Sequence, residues 1–134
     1  MSAEPNGGVA RTVVMSVETN PALKDDLEGV SIYRQPNGRG YLVLSSQGNN
    51  SYALFRRDAD NAYVGSFAII ADGAIGVDGA SETDGLDVTS APMGPAFPKG
   101  ALVVQDGRNV SPPQTQNFKI VPWDRITDGL KLTD

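Results

Sequence analysis

Short apolar segments rich in Val, Ile, Tyr and Phe alternate along the chain with clusters of Gly, Asn, Asp and Pro. Apolar runs of this length between turn-forming residues are typical of β-strands. The pattern predicts eight strands, at residues 12–17, 30–34, 40–45, 52–57, 63–70, 86–89, 101–105 and 118–121. Pro36-Asn37-Gly38 is a tight-turn sequence, so the second and third strands should form an antiparallel hairpin. The single helical candidate is a short turn after Trp123, beginning near Asp124.

The two halves of the chain repeat the same order of features. Each has an acidic residue and Gly, an apolar strand, a Gly-led strand ending in Gln, and a polar loop before an aromatic strand. The matched points are Gly29 with Gly85, a step of 56 (85 minus 29), Gln47 with Gln105, a step of 58 (105 minus 47), and Tyr52 with Phe118. Repeats of this size in an all-β chain indicate blades of a β-propeller, with a single β-sandwich as the alternative.

Composition limits the function classes. A length of 134 residues corresponds to one domain. The net charge of -5 and pI near 4.6 argue against nucleic-acid binding, and Arg56-Arg57 is the only adjacent basic pair. No apolar run approaches the roughly 20 residues that span a bilayer, so we expect no membrane partner. The start, at residues 1–5, lacks the basic and apolar regions of a signal peptide, and we expect none in this chain.

Candidate chemistry centres on Asp26 and Glu28, two carboxylates two residues apart at a predicted strand start. Side chains at positions i and i+2 of an extended chain share a face, so these two could hold one cation. The chain has no histidine and no cysteine, so its ligands would be oxygen atoms, which suit a hard cation. The same composition excludes histidine- and cysteine-type phosphatase chemistry.

The motifs together resemble the C-terminal part of a beta-propeller phytase, the alkaline calcium-dependent type. The resemblance covers essentially the whole chain. It is carried by Ser2-Ala3-Glu4-Pro5, Asp26-Leu27-Glu28-Gly29, Gly40-Tyr41-Leu42, Ser45-Ser46-Gln47-Gly48-Asn49, Glu82-Thr83-Asp84-Gly85-Leu86-Asp87-Val88, Gly94-Pro95, Gln116-Asn117-Phe118-Lys119 and Val121-Pro122-Trp123. The resemblance implies a six-bladed propeller whose channel binds several calcium ions. Those ions would bridge the enzyme to phytate (myo-inositol hexakisphosphate) and activate water for 3-phytase-type hydrolysis.

The resemblance also implies roles for individual residues. Asp26, Glu28 and Gln47 match the catalytic calcium site. A second, structural calcium site would use Asp78 and Gly79 with Gln116 and Asn117, although Asp72-Gly73 competes with Asp78-Gly79 and Thr115 stands where an Asn is usual. Asp84 and Asp87 are expected to be turn and blade-closing hydrogen-bond acceptors.

Length predicts an incomplete ring. Residues 26–70 and 82–123 supply about two blades of four antiparallel strands, and residues 12–17 add an edge strand. An open piece of a propeller exposes sheet faces and edges, so we expect self-association. The family implies a secreted or periplasmic location. The alternatives are a non-catalytic, calcium-stabilised fragment acting in binding or assembly, and another calcium-dependent propeller hydrolase such as a lactonase.

Overall fold

The computed structural model describes residues 13–58 and 60–133, which form two antiparallel β-sheets, one short α-helix and two single-turn 3-10 helices at Pro36–Gly38 and Gln47–Asn49. Strands β1 to β4 form the first sheet, in that order, and β5 to β7 form the second. The elements are β1 (Leu27–Arg34), β2 (Gly40–Ser46), β3 (Ser51–Arg56), β4 (Tyr63–Phe67), β5 (Leu86–Thr89), β6 (Ala101–Asp106), β7 (Asn117–Pro122) and α1 (Trp123–Gly129). The predicted all-β class and the partial propeller architecture are confirmed.

The first sheet contains the predicted hairpin. β1 and β2 pair antiparallel and end at the Arg34 and Gly40 pair, with a turn over Pro36–Gly38 between them. Asn37 and Gly38 have φ of 60° and 77°, the left-handed conformation that Asn and Gly tolerate best. β2 is buried along nearly its whole length, because it lies between β1 and β3.

The second sheet repeats the first but has three strands among the described residues. Val30 pairs with Leu44 in the first sheet, and Leu86 pairs with Val104 in the second. The first strands therefore match at a step of 56 (86 minus 30) and the second strands at a step of 60 (104 minus 44). The predicted match of Gln47 with Gln105 is thus off by two residues, and Ser45 is the counterpart of Gln105.

The predicted strand at residues 12–17 does not form in its described part, residues 13–17. The N–H groups of Thr19 and Asn20 donate to the Ser16 carbonyl, so the chain turns there instead of pairing with a neighbouring strand. Met15 and Val17 pack against a cluster of buried side chains on the outer face of the first sheet. The apolar residues were recognised correctly, but they cover a sheet and do not extend one.

The main core lies between the two sheets and α1. Tyr33 stacks on Trp123 with ring centroids 3.8 Å apart, and the Tyr33 hydroxyl donates to the Lys99 carbonyl at 2.8 Å. α1 begins directly after β7 and buries Trp123, Ile126 and Thr127. Sequence patterning predicted no more than a short turn at this point, because the helix is only 7 residues long. No helix in the described part of the chain is long and apolar enough to cross a membrane.

Candidate functional site

The backbone leading into β1 is not regular. Asp26 has a positive φ of 61°, and the β1–β2 register shifts between Leu27 and Val30. Alternation of side chains between two faces requires extended backbone, so the same-face argument for Asp26 and Glu28 does not apply here. Asp26 lines a pocket, whereas Glu28 is exposed and is not among the residues that line it.

The pocket with Asp26 is open, has a volume of about 300 Å³ and lies where the two sheets meet. Its lining residues are Asp26, Gln47, Gly48, Asn50 and Glu82. The Gln47 N–H donates to the Asp26 carbonyl at 3.0 Å, and the Glu82 N–H donates to Asn50 Oδ1 at 2.7 Å. A Cβ at Gly48 would lie 2.6 Å from the Asp25 carbonyl oxygen, so glycine is required for this close approach.

Hydrogen bonds fix the orientation of the Gln47 side chain. Gln47 Nε2 donates to Asp84 Oδ1 at 2.8 Å, and the Asp84 N–H in turn donates to Gln105 Oε1 at 2.9 Å. Because the Gln47 amide nitrogen is engaged, its oxygen is left as the acceptor end of the side chain. Gln105 therefore positions Asp84, and Asp84 orients Gln47.

The donors at this pocket suit a hard cation. Asp26 and Glu82 supply carboxylates and Gln47 supplies an amide oxygen, which are ligands that calcium prefers. No group of three or more acidic residues able to hold a metal occurs among residues 13–58 and 60–133. Calcium takes about six to eight oxygen ligands, so water, substrate or other protein groups would have to complete its coordination.

A second cluster of oxygen donors surrounds the ammonium group of Lys119. Lys119 Nζ lies 2.7 Å from Asp78 Oδ1 and 2.9 Å from Asp106 Oδ2, and it donates to Asn117 Oδ1 at 2.8 Å and Asn109 Oδ1 at 3.1 Å. The side chains of Lys119, Asp78 and Asp106 are 10%, 9% and 1% exposed. We call these five residues the Lys119 cluster.

Contacts within the Lys119 cluster shift the ionisation of its members. Burial disfavours the ammonium form, but hydrogen bonds to Asp78 and Asp106 outweigh it and raise the pKa of Lys119. The hydrogen bond from Lys119, followed by one from the Val110 N–H, lowers the pKa of Asp78 to about 2. Both charged forms are therefore favoured over a wide pH range.

The Lys119 cluster includes two of the four residues predicted for the structural calcium site. Asp78 and Asn117 meet at the ammonium group, whereas Gln116 is exposed and Gly79 packs against the Ile69 carbonyl. The alternative ligand Asp72 is exposed and accepts a hydrogen bond from the Ala74 N–H at 2.9 Å, as in a local turn. Calcium binding at Asp78, Gly79, Gln116 and Asn117 stays a prediction.

Comparisons with known proteins agree with this architecture. A protein-family model described as Phytase matches residues 1–134. The chain is 48% identical over 131 residues to a protein named 3-phytase from Bacillus subtilis (strain 168). This chain belongs to the beta-propeller phytase family. The match covers 96% of this chain and 34% of the relative, so the chain spans about a third of the length of that phytase.

Four residues at the phytase pocket and the Lys119 cluster were not predicted from the sequence. Glu82 and Asn50 line the pocket, and Asp106 and Asn109 contact Lys119. The repeat gave a signal for Glu82, because it occupies the position of Asp26 at a step of 56 (82 minus 26). Lys119 was part of a recognised motif, but its partners are distant in sequence and gave no comparable signal.

Two further acidic residues of the phytase motifs, Asp84 and Asp87, are hydrogen-bond acceptors. Asp84 accepts from Gln47, and Asp87 accepts from Ser31 Oγ at 2.6 Å and from the Val88 N–H at 2.8 Å. The bond from Ser31, followed by that from Val88, lowers the pKa of Asp87. Ser31 and Asp87 belong to β1 and β5, so their contact joins the two sheets, and the blade-closing role expected of Asp87 stays a prediction.

Proposed function

We propose that this chain carries part of a site for calcium-dependent hydrolysis of the phosphomonoesters of phytate. The observation that carries the proposal is the pocket where Asp26, Glu82 and the oriented amide of Gln47 meet, in a chain of the phytase family. Asp26 and Gln47 are the proposed calcium ligands there, and Glu82 joins them. Glu28, which is exposed two residues after Asp26 in the chain, is proposed as a ligand outside this pocket.

The charge of the chain supports a metal requirement. A net charge of -5 and the carboxylates at the pocket repel a polyphosphate, so a substrate of this class needs positive charge at the site. Bound calcium would supply that charge and lower the pKa of a coordinated water. The contribution of Asp26 and Glu82 is to hold the cation, and that of Asp84 is to keep the Gln47 amide oxygen available to it. We further propose, from the family alone, that the protein is secreted or periplasmic.

The test is phosphate release from calcium phytate by the protein, with and without a chelator. We expect release in calcium, none with the chelator, and a reduction of about tenfold or more in Asp26→Asn, because a carboxylate ligand is removed. Glu18→Gln is the matched control, since Glu18 is exposed and lies outside the pocket. Activity that persists in the chelator would refute the calcium requirement. Hydrolysis of a lactone but not of phytate would favour the lactonase alternative.

A second candidate function, assembly with further copies of the chain, has its own support. β7 forms one end of its sheet, and its outward side chains Phe118 and Ile120 are 69% and 57% exposed. An apolar groove of about 740 Å³ runs from these residues to Ile70 and Ile75. An unpaired strand edge beside exposed apolar side chains favours pairing with another strand.

Sedimentation velocity over a range of concentrations tests the assembly proposal. We expect concentration-dependent association that Ile120→Lys weakens, because a charge on the open edge opposes strand pairing. Val13→Lys is the control, since Val13 is 79% exposed, lies outside the strands and does not line the groove. A monomer at every concentration would rule out self-association.

A further inference from the structure

Arg108 stands beside the proposed calcium pocket without lining it. Arg108 Nη2 forms an ion pair with Glu82 Oε1, and Glu82 is one of the residues that line the pocket. The Arg108 side chain is 70% exposed, whereas that of Glu82 is 44% exposed. The guanidinium is therefore anchored at one edge and largely open to solvent.

The backbone holds Arg108 against Glu82. The Gly107 N–H donates to the Ser81 carbonyl at 2.8 Å, and a Cβ at Gly107 would lie 2.8 Å from the Glu82 carbonyl oxygen. The Arg108 N–H donates to Asp106 Oδ1 at 3.3 Å, and Asp106 belongs to the buried Lys119 cluster. The start of the side chain is thus fixed by a close glycine contact on one side and a buried carboxylate on the other.

This placement suits recognition of a phosphate group. A guanidinium presents five N–H donors in a planar fork, and the ion pair with Glu82 is made through Nη2 of Arg108. A carboxylate has two oxygens, so Glu82 can face Arg108 with one and a cation in the pocket with the other. An anion bound to that cation would then lie within reach of other donors of the same guanidinium.

We propose that Arg108 binds a phosphate group of the substrate at the rim of the pocket. The proposal rests on the proposed calcium-dependent function and adds a substrate-binding residue to it. Arg108 would act together with the cation, so that one phosphate is neutralised from two sides. Glu82 would be the positioning residue that links the two positive charges.

In the alternative role, Arg108 only neutralises the charge of Glu82 and binds no phosphate. In that role the guanidinium neutralises a carboxylate that would otherwise bind calcium more tightly. The two roles predict different effects of removing the charge of Arg108. Phosphate affinity falls under the proposal, whereas calcium affinity rises and phosphate affinity is unchanged under the alternative.

Titration calorimetry distinguishes the two roles of Arg108. The protein is titrated first with calcium alone and then, in saturating calcium, with inorganic phosphate or phytate. For Arg108→Gln we expect phosphate and phytate binding to weaken by about tenfold, while calcium binding keeps its stoichiometry. The phosphate affinity of Arg108→Lys should lie between those of wild type and Arg108→Gln, because lysine keeps the positive charge but lacks the planar fork of N–H donors. Arg39→Gln is the control, since Arg39 is exposed and precedes β2, at the opposite end of that strand from Gln47.

The outcomes are distinguishable from a failure of the proposed function. Wild-type protein that binds phosphate in calcium, with Arg108→Gln binding it equally well, overturns the role of Arg108 and leaves the calcium site intact. Wild-type protein that binds no calcium, or binds calcium and no phosphate, overturns both. Circular dichroism spectra that match between wild type and Arg108→Gln exclude unfolding as the cause of a loss.

Discussion

The pocket at Asp26 and the Lys119 cluster contain similar donors but differ in what neutralises them. Each combines two carboxylates with side-chain amides brought from separate parts of the chain. In the Lys119 cluster a nearly buried ammonium contacts both carboxylates and both amide oxygens. At the pocket the carboxylates border open space, and the ion pair that reaches Glu82 comes from the exposed Arg108.

The difference shows how one set of residue types produces both a buried ion cluster and an open, solvent-facing pocket. Buried carboxylates require a partner charge, and a lysine on the neighbouring strand provides it permanently. The carboxylates at the pocket border solvent, and the one ion pair described there, between Glu82 and Arg108, is exposed, so they do not require a buried counter-charge. Acidic motifs alone therefore do not distinguish the two regions, whereas the burial of the nearest basic side chain does, since Lys119 is 10% exposed and Arg108 is 70% exposed.

The largest effect is expected from removing the internal cation. Lys119→Met keeps the length of the side chain but leaves Asp78 and Asp106 without their counter-charge, so we expect the melting temperature to fall by roughly 5–10 °C. Lys99→Met is the control, because Lys99 is exposed. Equal melting temperatures for the two variants would show that the Lys119 cluster is not a structural ion cluster.

Removing the ammonium should also make the two regions more alike. In Lys119→Ala, four oxygen-bearing side chains face a space that a cation can enter, so calcium should raise its melting temperature by several degrees more than that of wild type. The double variant Lys119→Ala/Asp106→Asn should lose this extra gain. If calcium raised the melting temperatures of wild type and Lys119→Ala equally, a metal ion would not replace the Lys119 ammonium in this cluster.

At the pocket, the missed residue Glu82 gives a smaller effect. Glu82→Gln removes one carboxylate and keeps the shape, so we expect calcium binding to weaken roughly threefold to tenfold. Titration calorimetry measures the change, with Glu18→Gln as the reference variant. Unchanged affinity in Glu82→Gln, alongside a loss in Asp26→Asn, would remove Glu82 from the proposed metal ligands.

The smallest effect concerns pH. The pKa of Asp78 is lowered from 3.8 to about 2 in the folded protein, so its stabilising contribution is complete above pH 3.8 and is lost as the pH falls through about 2. The pKa of Lys119 is raised, so its contribution is lost only at alkaline pH above its ordinary value of 10.5. Thermal unfolding between pH 4 and pH 2 should depend on pH less steeply in Asp78→Asn than in wild type. Parallel curves would contradict the assignment.

Much of the fold could be predicted from local pattern. The hairpin at Pro36–Gly38 and the strands after Gly85 were predictable, because turn residues and apolar alternation act over a few neighbouring positions. Residues 13–17 show the same apolar character, yet they cover the outer face of the first sheet. Strand formation requires a partner with free backbone groups, and short sequence windows carry no information about partners.

The candidate site divides in the same way. The sequence by itself determined the donor chemistry, since a chain without histidine or cysteine has mainly oxygen ligands, and it predicted Asp26 and Gln47, which the fold brings to one pocket. Tertiary structure decided that Glu82 lines the pocket with them, that Glu28 does not line it, and that Lys119 lies at the centre of the second cluster. The physical reason is distance along the chain: composition and motif are local properties, whereas charge neutralisation depends on residues that only folding brings together.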